Sequence, residues 1–171
     1  MQKSNNKLEK LIIKIGESSS YLVLVLIVII CIDVMMRYLF NKSNAWVIDL
    51  EWYIFSLIFL LGFSYTLAAD KHVRVDVFYS KWPQKKQDVL NIIGYVFLLI
   101  PWCIVGIEKS YTLFINSFHM REGSPDPGGM PARYVIKFFI VVSFVLLLIQ
   151  GVIELYKAIL SFKNKSKAWS G

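Results

Sequence analysis

Ser18 to Met36 reads SSSYLVLVLIVIICIDVMM, nineteen residues with a single charge, Asp33. A bilayer's hydrocarbon core is about 30 Å thick and takes about 20 helical residues at 1.5 Å each. This one stretch is therefore long enough to cross. The pattern recurs along the chain. Trp52–Ala69 carries no charge in eighteen residues, Val89–Ile107 none in nineteen, and Phe138–Ile153 none in sixteen. The last run extends to Tyr134–Tyr156, with Lys137 and Glu154 near its ends. Lipid offers backbone N–H and C=O groups no partner, so each run must be helical. The expected fold is an all-α integral membrane protein with four transmembrane helices, at about residues 15–40, 46–69, 86–113 and 134–160. They form a single membrane domain over residues 1–171.

Composition agrees. Of the 171 residues, 56% are hydrophobic and the mean hydropathy is +0.54, above the band of soluble domains. The apolar residues are gathered into runs, which excludes a soluble globular domain, a disordered tail and a disulfide scaffold. The net charge of +7 would point to nucleic acid in a soluble protein. Here the cations flank the apolar runs, so a phospholipid membrane is the expected partner and nucleic acid is not. Cys31 and Cys103 both lie in apolar runs and fit no zinc or CxxC spacing, so they read as packing residues. Neither a metal nor a cofactor is expected.

The first run has the basic approach of a signal peptide, in Lys3, Lys7, Lys10 and Lys14. No small-x-small cleavage site follows, and the run ends in Asp33 and Arg37, as an uncleaved anchor does. Lys/Arg asymmetry sets the orientation. The amino-terminal arm carries those four lysines, the second loop Lys71, Arg74, Lys81, Lys85 and Lys86, and the tail Lys157, Lys163, Lys165 and Lys167. The opposite side carries Arg37, Lys42, Lys109, Arg121, Arg133 and Lys137. Thirteen against six places both termini in the cytoplasm. In the second loop, Pro83 at a first helical position, with Trp82 before it and Lys85 and Lys86 after, predicts a short cytoplasmic surface helix ahead of the third span. The third loop holds Pro125, Pro127, Gly128, Gly129 and Pro131 and should be irregular. Pro101 should free the carbonyl of Phe97 and kink the third helix.

Few ionisable groups lie where membrane enzymes and carriers place theirs. Asp33 stands four residues before Arg37, so the two share a helical face. They read as a local ion pair, a substrate or ion site, or a partner contact. Glu51 opens the second span, where the helix dipole favours an acid. Capping alone would explain it. However, Glu51, Phe55, Ile58, Gly62, Thr66 and Ala69 follow one another at steps of three or four. Small residues on one face permit close helix approach in lipid, so this stripe is either a seam within the chain or a docking surface. His72 and His119 lie in loops, whereas a haem-binding bundle carries its histidines within helices.

The stretch Arg37-Tyr38-Leu39-Phe40-Asn41, followed by Trp46, Glu51, Gly62 and His72-Val73-Arg74-Val75-Asp76, resembles the small (Q) membrane subunit of tripartite ATP-independent periplasmic (TRAP) transporters. Arg121-Glu122, with Pro131 before the fourth helix, adds to the resemblance, which runs from about Arg37 to Gln150. It implies a non-catalytic subunit in a bacterial inner membrane. Its partners would be a large membrane subunit, which carries the substrate and sodium sites and moves as an elevator, and a periplasmic substrate-binding protein. The cargo would be an organic acid of the C4-dicarboxylate or sialic acid type, between which this chain does not choose. The basic tail soon after the fourth helix implies that the large subunit is a separate chain. Arg37, Trp46, Glu51, Gly62, His72, Arg74, Asp76, Arg121 and Glu122 are the candidate contact residues.

Two of these groups have local readings as well. His72, Arg74 and Asp76 alternate with Val73, Val75 and Val77, so an extended segment would be polar on one side. It is a solvated turn or a polar brace on the large subunit. Adjacent on a helix, Arg121 and Glu122 would not face each other. They tie the loop to its own helix ends, meet the large subunit, or meet the binding protein. The rival readings are an autonomous oligomeric carrier or channel and a membrane anchor for a redox complex. The scarcity of mid-membrane acids weighs against the first, and the lack of histidines in the spans against the second.

Overall fold

The structure, a computed structural model, describes residues 7–69 and 82–167. Four helices make up most of the described residues: α1 (Lys7–Phe40), α2 (Ala45–Ala68), α3 (84–119) and α4 (Tyr134–Lys167). Each is long and apolar enough to cross a membrane. A helix of 34 residues, as in α1 and α4, spans about 51 Å at 1.5 Å per residue, well beyond the ~30 Å core. The excess is the charged approach to each span, which stays helical because water or headgroups take over from lipid there.

Helix α1 stops at Asn41, whose φ of 53° leaves the right-handed region, and Lys42 N–H reverts to Met36 O at 3.2 Å. Asparagine tolerates this conformation better than most residues. Helix α3 starts directly after Pro83, whose carbonyl accepts from Lys86 N–H at 2.8 Å. The segment expected as a short surface helix is helical from Gln84 to Ile93 and runs without a break into the span. At Gly94–Leu99 the turn widens to π-helix, with Ile100 N–H donating to Tyr95 O, and Ile100–His119 returns to α-helix. Pro101 lacks an N–H and its ring crowds the carbonyl of Phe97. The wide turn just before it is how the chain accommodates the proline.

The helices do not close into a square bundle. Helix α1 lies on α2, α2 on α4, and α4 on α3, while α1 touches α4 only lightly. The spatial order is therefore α1-α2-α4-α3, with α4 in the middle. Without a hydrophobic drive in lipid, such contacts rest on close packing and interhelical hydrogen bonds. Both are present. A Cβ at Gly16 would lie 2.3 Å from Tyr65 Cβ, one at Gly106 2.5 Å from the Phe144 ring, and one at Gly151 2.1 Å from Leu99. Ser143 Oγ donates to Leu60 O at 2.6 Å, joining α4 to α2, and Ser161 Oγ donates to Asp88 Oδ2 at 3.0 Å, joining α4 to α3. At the same end, Lys157 of α4 reaches Glu9 of α1 at 2.7 Å and Glu154 at 2.8 Å. The buried apolar centre is Leu67, Cys103 and Leu147.

Candidate functional site

The polar groups gather at the opposite end, where α1 ends, α2 begins and residues 120–133 connect α3 to α4. One turn separates Asp33 from Arg37, and the Arg37 guanidinium donates to the Asp33 carboxylate. Asp33 is only 5% exposed, packed against α2, while half of the Arg37 side chain stays open. Burying a carboxylate is costly unless a charge and a hydrogen bond compensate, and Arg37 supplies both.

Glu51 stands beside this pair, close enough for Asp33 and Arg37 to act on it electrostatically. Its Oε1 is buried with no hydrogen-bond partner among the described residues. The capping explanation fails on position. Helix α2 begins at Ala45 and has no acid in its first turn, so Glu51 lies a turn further in, beyond the reach of the helix end. A buried carboxylate oxygen without a donor is a cost the fold does not itself relieve.

The stripe below Glu51 is open. Phe55 and Thr66 are exposed, and a Cβ added at Gly62 would meet nothing within 4 Å. The contrast with Gly16, pressed on Tyr65, is direct. Of these two glycines, Gly16 packs inside the chain and Gly62 faces open space. Trp46, in the first turn of α2, is half exposed at the same end.

The connection from α3 to α4 is irregular but firmly held. The Glu122 carboxylate accepts from Ser117 Oγ at 2.6 Å and from Lys137 of α4. Its backbone N–H donates to Ser117 O, and its carbonyl accepts from Arg133 N–H at 2.8 Å. Lys137, and then Ser117, hold its carboxyl below the usual carboxylate range. Glu122 thus stitches the loop to the two helices that flank it. Arg121 turns away, with φ of 48°. It makes no ion pair among the described residues and lines a cleft of about 670 Å³ with Phe118, His119 and Tyr134.

One residue of this end escapes the sequence reading. Asp49 Oδ2 accepts from Met130 N–H at 2.9 Å, across 81 positions of chain, and Ser124 also bonds to it. Gly129 makes the approach possible, because a Cβ there would stand 2.5 Å from Asp49 Oδ2. Two residues on a helix point about 200° apart. Asp49 therefore serves the loop while Glu51 faces α1. An acid in the opening turns of a helix, paired with a Gly-Gly loop, was the available signal.

His72, Arg74 and Asp76 lie outside the described residues. Among those described, no three His, Cys, Asp or Glu side chains gather in a metal-binding cluster. The fold and its charged end define a multi-pass α-helical membrane protein. The chain belongs to the family described as tripartite ATP-independent periplasmic transporters, DctQ component, whose family model matches residues 26–161. It is thus the small membrane component of a TRAP transporter. Comparison with curated proteins gives no match.

Proposed function

We propose that this chain is a non-catalytic brace in a sodium-coupled transporter of organic acids, C4-dicarboxylate or sialic acid in type. It enlarges the fixed scaffold of a large elevator subunit in the bacterial inner membrane, as one membrane domain over residues 1–171 with both termini cytoplasmic. A periplasmic binding protein delivers the cargo. The observation that carries the reading is the open stripe of α2 capped by Glu51, whose buried Oε1 lacks a donor among the described residues. A basic side chain or backbone N–H of the large subunit meets the half-buried Glu51 carboxylate at its open edge, with Arg37 and Trp46 at the rim. Exposed, and without an ion pair among the described residues, Arg121 suits a transient contact with the binding protein, since such rim charges steer encounter more than they hold. Glu122 acts behind it by fixing the loop. His72, Arg74 and Asp76 brace the opposite face.

Reconstitution tests this. Liposomes holding the large subunit and this chain, supplied with binding protein and a sodium gradient, should take up the acid. Omitting this chain should abolish uptake, and undiminished uptake without it overturns the proposal. Reporter fusions at Lys14 and Lys163 should read cytoplasmic and one at Pro127 periplasmic.

A further inference from the structure

Helix α3 carries a groove at the end remote from Glu51. Its mouth, about 330 Å³, is lined by Trp82, Lys86, Val89, Leu90 and Ile93. At Leu90 it meets a second, mainly apolar hollow of about 350 Å³, between Leu67 of α2 and Gly94, Leu98 and Trp102 of α3. The hollow opens where α3 is π-helical, and Gly94 leaves space in which a Cβ would touch nothing within 4 Å.

The two ends differ in chemistry. Lys86 is exposed and makes no ion pair among the described residues. The acid nearest it in sequence, Asp88, is buried against Ser161, about 200° round the helix. The mouth therefore carries a cation with no acid paired to it among the described residues. Trp82, held by Gln87 Nε2 donating to its carbonyl at 2.9 Å, adds the amphipathic ring that favours headgroup depth. Beneath it the lining is mainly apolar, with Asn91 and Tyr95 as its polar members, at the start of the uncharged run Val89–Ile107. From Lys86 to Leu98 is about 18 Å along the helix axis, close to the ~15 Å depth of one leaflet.

We propose that this groove is a binding site for an anionic phospholipid, its phosphate at Lys86 and one acyl chain along Leu90, Gly94 and Leu98 to Trp102. The inference needs only that the chain spans a membrane, and stands apart from the assignment of partners above. A lipid fits better than a partner helix because the groove joins the Lys86 cation to a mainly apolar slot one acyl chain long.

Native mass spectrometry of the full chain in detergent, titrated with phosphatidylglycerol or phosphatidylcholine, tests it. The wild type should retain one phosphatidylglycerol in preference to phosphatidylcholine. Lys86→Glu, at an exposed position that folding does not need, should weaken that binding by about five-fold or more, the equivalent of ~1 kcal/mol per cation at an anionic surface. Gly94→Leu, which fills the slot, should weaken both lipids. Equal retention in the wild type and both variants overturns the site. So does a photo-crosslinker at Leu98 that captures a protein rather than a lipid in native membranes.

Discussion

Gly16 and Gly62 offer a paired perturbation, because α1–α2 packing uses the first and leaves the second open. A Cβ at Gly16 would sit 2.3 Å from Tyr65 Cβ and 2.4 Å from Tyr65 Cγ. These atoms belong to the base of the side chain and cannot swing away, so α1 and α2 must separate. Overpacking of this kind costs about 1–3 kcal/mol. The helix preference for alanine over glycine returns about 0.5–1 kcal/mol. Gly16→Ala should therefore destabilise the isolated subunit by about 1–2 kcal/mol, the residual of these two effects. Gly62→Ala meets no atom within 4 Å and should be neutral or slightly stabilising in isolation. Gly62→Leu should leave the isolated subunit intact but hold a partner helix off the stripe. A gap of about 0.5–1 Å forfeits a quarter to a half of each dispersion contact. Thermal unfolding in detergent reads the first effect, and co-purification with the large subunit the second. Melting of Gly16→Ala with the wild type, or unfolding of Gly62→Leu before any partner is added, would refute this packing.

Glu51→Gln should leave the isolated subunit at least as stable as wild type, while weakening its association with the large subunit by about 1.5–3 kcal/mol, the range for a hydrogen bond to a charged group, in a pull-down titration. Lys157→Met should cost about 1–2 kcal/mol in thermal unfolding; a fully buried bridge would cost more, but Lys157 is 36% exposed and water screens it. Glu122 has a folded pKa below its ordinary one. Its contribution is thus complete above the ordinary value of about 4.3 and lost as pH falls through the lower folded value. Hydrogen exchange at Arg133, whose N–H the Glu122 carbonyl holds, should accelerate, relative to the intrinsic rate, only below about pH 4.3, and Glu122→Gln should remove that dependence.

The four spans were legible because a run of uncharged residues long enough to cross lipid has one stable backbone solution. Their ends were less so. Charged approaches such as Lys7–Lys14 do not interrupt a helix that leaves the bilayer. The helix order was hidden for a different reason. Helices apolar all round carry no stripe to mark the packed side, and only small residues hint at it. Gly16 and Gly62 look alike in sequence, yet one is pressed on Tyr65 and the other is open. At the charged end, the relation of Asp33 to Arg37 is local and readable from spacing. The link from Asp49 to Met130 crosses 81 residues and leaves no local pattern. The unpartnered oxygen of Glu51 is a fact of three-dimensional surroundings, which the helical stripe marked only as a face.

On the proposed reading, the open stripe of α2 seats a large membrane subunit. A photo-crosslinker placed at Phe55, exposed on that stripe one turn from Glu51, measures it most directly in membranes that contain the assembled transporter. A single covalent adduct between this chain and the large membrane subunit is expected, reduced by Gly62→Leu. Adducts with lipid alone, with the large subunit present and transport intact, would contradict it.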